Sequence, residues 1–224
     1  MRSLIFGFAL TIAPVGAIAG EAVTYDVNGE AFEGYQAAAK GESKGLVVIA
    51  HDWDGLTDYE KMRTDMLATM GYDAFAVDLF GKGNRPTETE AKIAETRKLN
   101  EDRGRMRSLT FGALDAAREF SNSEAVLVGY CFGGAPALEV ARSGQAETIA
   151  GYVTFHGSIS TPEGQSYPSD TAPILIAHGG ADTVVTMDQV LSLSEELESA
   201  SVPYEIQIYS GAPHAFTEPG TDSY

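Results

Sequence analysis

The sequence predicts an α/β domain, a mostly parallel sheet with helices on both faces and an antiparallel hairpin at its start. Three observations lead there. Short, near-continuous apolar runs recur along the chain, as suits strands buried on both faces. Helical periodicity fills the intervals between them, so strand and helix alternate. Near the start, Asn28-Gly29 separates two alternating stretches, the strongest short-range hairpin signal.

Taken in order, the chain begins MRSLIFGFALTIAPVGAIAGEA. Arg2 precedes an apolar run, and Ala17-Ile18-Ala19, with small residues at its first and third positions, offers a cleavage site. This is the pattern of a secretory signal peptide over 1–19, too short and broken to span a bilayer. It predicts an exported protein, periplasmic or secreted, whose residues 20–224 form one domain. No cysteine follows the run, which excludes a lipoprotein anchor. The hairpin is placed at 23–37. Strands are predicted at 45–51, 73–80, 124–130, 149–156, 172–178 and 204–210. Helices are predicted at 58–71, starting on Asp58 and stopping at Gly71, then at 87–99, 105–120, 133–144 and 186–201.

Composition narrows the function. With 224 residues, 44% of them hydrophobic, the chain can bury one good core but not two large domains. A formal charge of −17 excludes nucleic acid and anionic membrane surfaces as natural partners. The sole cysteine, Cys131, cannot form an internal disulfide. His51, His156 and His178 are scattered with that single thiol, so no metal site and no cofactor is expected. Arg103, Arg105 and Arg107 read most simply as a solvated helix start, with a substrate-anion contact as the alternative.

The cysteine lies in VLVGYCFGGAPALEV, where an apolar run ends and a helical pattern begins. Gly129 and Gly133 flank it at −2 and +2, as a nucleophile on a sharp strand-to-helix turn requires. A helix starting at Phe132 would direct its positive end at the sulfur and favour thiolate. Two later strands end in ILIAHGGADTVV, which delivers Asp182, and IYSGAPHAFTEP, which delivers His214. In open α/β sheets chemistry gathers at the carboxyl ends of strands. Nucleophile, acid and base in that chain order form a hydrolase triad, with His214 as proton carrier and Asp182 orienting it.

The segments GYCFGG, HGGADTVV and GAPHAF resemble the dienelactone hydrolase family of the α/β-hydrolase superfamily, as does the stretch 49–83. The resemblance implies Cys131, Asp182 and His214 as catalytic residues and the backbone N–H groups of Phe132 and Trp53 as the oxyanion hole. It places Asp52 where family members often carry a Glu that contacts the nucleophile. It also implies a closing helix after the base. The chain stops at Tyr224, ten residues past His214, so it is read as open to truncation at that end. Dienelactone-cleaving members hold the substrate carboxylate with arginines, one of them shortly after the histidine. Here Glu218 occupies that region. The expectation is an exported monomer that hydrolyses small esters or lactones. The alternative is a weakly catalytic protein of this fold that binds a small ligand or senses oxidants through its thiol.

Overall fold

The structure is a computed structural model describing residues 19–145 and 148–221. Residues 1–18 of the predicted leader lie outside that range. Among the described residues no helix is long and apolar enough to cross a membrane.

Strands β1 (Glu21–Val27) and β2 (Glu30–Ala37) form the expected hairpin. Asn28 and Gly29 take φ values of 56° and 86°, the left-handed pair such a two-residue turn needs. Six further strands follow: β3 (Leu46–Ala50), β4 (Asp73–Val77), β5 (Ala125–Tyr130), β6 (Ile149–Phe155), β7 (Ile174–Gly179) and β8 (Tyr204–Tyr209). The sheet order is β1-β2-β4-β3-β5-β6-β7-β8. The hairpin pairs antiparallel to β4, and all later neighbours are parallel. Every residue of β3 is buried, which is why its sequence LVVIA shows no alternation.

One face is covered by α2 (Thr89–Glu101), α3 (Arg103–Phe120), α4 (Gly134–Ser143) and α5 (Met187–Ala200), which supply most of the main core. On the other, α1 (Asp58–Thr69) packs over Val47, Ile49, Ala76 and Val128. The helix starts differ from expectation in instructive ways. Thr57, not Asp58, caps α1, because Thr57 and Glu60 form a reciprocal capping box. Helix α3 begins at Arg103 because Asp102 accepts the Arg105 N–H at 2.8 Å.

The three arginines at that start serve the scaffold. Arg105 pairs with Glu30 at 2.7 Å, while Arg103 and Arg107 reach Glu139 of α4 at 3.8 and 3.4 Å. Arg142 joins them at 3.4 Å and donates to the Tyr167 hydroxyl at 2.8 Å. Neither free solvation nor a substrate contact describes them. Glu139 and Arg142 are buried, so removing the carboxylate leaves three guanidiniums facing one another. Glu139→Ala should therefore cost about 3–5 kcal/mol. Urea unfolding checks this: the midpoint should fall at unchanged slope.

Candidate active site

The site is assembled at the carboxyl ends of the parallel strands. Strand β5 runs into a 3-10 turn, Cys131–Gly133, and then directly into α4. Cys131 has φ 47°, a left-handed conformation that costs a side-chain-bearing residue of order 1–3 kcal/mol. The surroundings enforce it. A Cβ on Gly129 would lie 2.1 Å from the Gly133 carbonyl oxygen, and one on Gly133 would lie 2.2 Å from that of Ala50. Backbone meets backbone on both sides of the turn, and the thiol is the one group left to point outward.

The acid and base loops are stitched together by their own backbones. Gly180 donates to Tyr209 O at 2.8 Å and Ala181 to Ala212 O at 3.0 Å. Asp182 Oδ1 accepts the N–H groups of Val184 and Val185 at 2.8 and 2.9 Å. Its Oδ2 lies 2.8 Å from His214 Nδ1, and His214 Nε2 lies 3.2 Å from Cys131 Sγ. Because the Asp182 carboxylate can only accept, Nδ1 carries the proton and donates it in a hydrogen bond, and Nε2 presents its lone pair to the thiol. The three predicted residues thus form one hydrogen-bonded chain.

The loop after β3 closes the other side. His51 is fully buried: Leu79 N–H donates to its Nε2 at 3.1 Å, so Nδ1 carries the proton and donates to Asp52 O at 2.6 Å. Burial holds this imidazole below its usual pKa, in the neutral form both bonds require. Glu60 of α1 accepts from Thr57 N at 2.7 Å and reaches Asp52 N at 3.5 Å. Lys92 of α2 pairs with Asp54 at 3.2 Å and lies 5.0 Å from the centre of the Trp53 ring. A cavity of about 250 Å³ opens above the sulfur, lined by Trp53, Thr96, Asn100, Phe132, Ser158, Val184 and His214. Larger hollows elsewhere on the surface touch none of these residues.

The electrostatics depart from expectation. Burial pushes the Cys131 thiol up to about 12, with the Asp52 carboxyl contributing next. The Phe132 N–H aimed at the sulfur lowers it but loses. Asp52 is itself pushed up to about 11, by burial first, then by its hydrogen bond with Asp54 and the charge of Glu60. A protonated Asp52 exerts no full charge on the thiol near neutrality, which leaves burial as the dominant cause. Hydrogen bonds from Asp52 and Lys92 hold Asp54 below the usual range despite its burial. Burial thus favours a neutral thiol beside a neutral carboxylic acid over the thiolate expected from helix polarity.

A model of the dienelactone hydrolase family matches residues 32–224. The chain belongs to that family. Family membership makes it a hydrolase of the ester and lactone class. Its relatives include carboxymethylenebutenolidase 1 of Cupriavidus pinatubonensis, 29% identical over 75% of this chain and 74% of the relative. The carboxymethylenebutenolidase of Rhodococcus opacus is 27% identical over 84% and 77%. Among solved structures, a dienelactone hydrolase-like promiscuous phosphotriesterase from metagenomic libraries superposes with a TM-score of 0.80. It shares 27% identity and covers 91% of this chain and 86% of its own.

Several residues at the site escaped sequence reasoning. The Thr57-x-x-Glu60 capping signature was visible in the sequence, but that Glu60 also reaches the Asp52 N–H was not. Lys92, Asp54 and the buried His51 carry no motif of their own.

The raised pKa of Asp52 has a thermodynamic consequence. The unfolded chain releases this proton near pH 4, whereas the folded chain keeps it to about pH 11. Between those values the unfolded state binds fewer protons, so this group lowers stability as pH rises from about 4. Asp52→Asn keeps the shape and a donor toward Asp54 without that cost. It should raise Tm at pH 7 by a few degrees, and the gain should vanish near pH 3. Thermal melts of both proteins across pH test it; an equal or lower Tm at pH 7 would mean that Asp52 is ionised in the folded chain.

Proposed function

We propose that this protein is an exported hydrolase of small, uncharged esters or lactones that uses Cys131 as its nucleophile. The observation that carries the reading is the continuous chain from Asp182 through His214 to Cys131, at 2.8 and 3.2 Å, on the floor of a cavity. His214 Nε2 takes the thiol proton as the sulfur attacks the substrate carbonyl. The two electrons of the carbonyl π bond move to oxygen, where the N–H groups of Phe132 and Trp53 receive the negative charge. Collapse expels the alkoxide, which leaves with the proton from His214, and a thioester on Cys131 remains. Water, deprotonated by His214, attacks that thioester; the acid product leaves and the thiol regains its proton. Asp182 holds the imidazole in the required tautomer throughout. Asp52 lies beside the nucleophile as a neutral acid and does not compete for the oxyanion's donors.

A neutral resting thiol fits this cycle, since the proton has to move only when a carbonyl is in place. It disfavours oxidant sensing, which requires an exposed thiolate. Support for an uncharged substrate comes from the cavity wall, to which no Lys or Arg among the described residues contributes. Glu218 adds negative potential at both Cys131 and Asp52. The N-terminal pattern of Arg2, apolar run and Ala17–Ala19 supports export.

Cys131→Ala should lose at least about a thousandfold in kcat, and Cys131→Ser should retain little activity. Parent turnover in the alanine variant would sink the assignment. For substrate charge, kcat/KM is compared for a matched neutral and anionic ester pair at low and high salt. The neutral member should be preferred, most strongly at low salt. Glu218→Arg should narrow the gap mainly through KM, because a carboxylate clamp binds ground state and transition state alike.

A further inference from the structure

The loop that carries His214 leaves β8 and at once adopts an unfavourable shape. Ala215 has φ 57°, and His156, packed edge-on against the His214 ring at 5.2 Å, has φ 42°. Two left-handed, side-chain-bearing residues next to the base persist only where their surroundings over-determine them. The surroundings here converge on Thr217.

Thr217 Oγ1 lies 2.7 Å from the Tyr59 hydroxyl and 2.8 Å from His156 Nε2. Arg63 donates through Nε to the Tyr59 oxygen at 3.1 Å and through Nη2 to the Thr217 carbonyl. Its guanidinium also lies 5.1 Å from the Tyr59 ring centre and 5.8 Å from that of Tyr130. These bonds join α1, the end of β6 and the base loop.

The direction of the protons follows from the donor inventory. Arg63 can only donate, so the Tyr59 oxygen accepts. Tyr59 then has one hydrogen to give, and it goes to Thr217 Oγ1. Thr217 in turn has one hydrogen, which goes to His156 Nε2. His156 therefore carries its own proton on Nδ1, a buried atom with no hydrogen-bond partner among the described residues. The reverse order would strand both the Tyr59 hydrogen and the His156 Nδ1 lone pair. Running Arg63 to Tyr59 to Thr217 to His156, the relay leaves fewer groups unsatisfied.

We infer that Thr217 is a positioning residue for the base: it locks the 214–217 loop onto α1 and holds His156 as a neutral neighbour of His214. A neutral imidazole matters at that place. In the proposed cycle His214 becomes cationic, and a second cation at ring-contact distance would oppose the proton transfer. Burial, followed by the proximity of His214, keeps the His156 pKa at about 3, in accord with this role. The inference rests on His214 as the base.

The test uses the full chain with Thr217→Val, which is nearly isosteric but removes both side-chain bonds, and Thr217→Ser, which restores the hydroxyl. The valine variant should lose about tenfold in kcat with KM within about twofold. The serine variant should stay within about twofold of the parent. Nitrogen-15 imidazole shifts provide a readout independent of activity. In the parent, His156 should show a protonated Nδ1 and a bare Nε2, and Thr217→Val should disturb that tautomer. If the valine variant fails to fold, Tyr59→Phe breaks the relay one bond further from the base and should lower kcat in the same sense. Parent kcat in a folded Thr217→Val protein, or a protonated Nε2 on His156 in the parent, would overturn the inference. Failure of the triad reading looks different, since His214→Ala would then retain turnover.

Discussion

The contact between backbones at the end of β5 governs this site. Gly133 sits where any side chain would strike the Ala50 carbonyl, and Gly129 where one would strike the carbonyl of Gly133 itself. Strands β3 and β5 and helix α4 are therefore as close as main chains can pack. That spacing fixes the turn between them, and the turn forces Cys131 into a left-handed conformation with its sulfur facing the cavity. It also sets the distance between the loop after β3, with Trp53, and the first N–H groups of α4. An added methyl group at either glycine would separate the sulfur from the groups that surround it.

Burial then decides the charge state. A helix N-terminus contributes of order 1 kcal/mol toward an anion, whereas desolvating a thiolate on a closed floor costs more. Burial favours the protonated form of the thiol and of Asp52, whose neighbours Asp54 and Glu60 already crowd the region with carboxylates.

The sheet was legible because its strands are buried on both faces and read as unbroken apolar runs; LVVIA and AVLVGY could hardly be anything else between helical stretches. The convergence of Cys131, Asp182 and His214 was legible because all three follow the ends of parallel strands of the same sheet. The pKa of Cys131 was not, since helix polarity can be read from a sequence but the depth of the sulfur cannot. The arginines of α3 were misjudged for a related reason. Their partner Glu139 looks like a surface position of a helix until α3 is laid across it. Thr217 and Tyr59 are 158 residues apart, and no local pattern couples them.

Helix α1 emerges as a brace shared by the two halves of the site. Its first turn extends Glu60 to the backbone at Asp52 and Thr57, which holds the loop carrying Trp53. From the adjacent positions, Tyr59 and Arg63 reach across to Thr217 and hold the loop carrying His214. The loops carrying Trp53 and His214 are thus referred to a single rigid element, one that lines no part of the cavity above Cys131. That explains why a helix of weak amphipathic character carries a fully buried glutamate on its inner face. Glu60 and Arg63 bond to the backbones of the loops that carry Trp53 and His214 instead of filling a hydrophobic core. A shift of α1 would move both loops together and leave their relation to each other intact. A change at Thr217 would separate them.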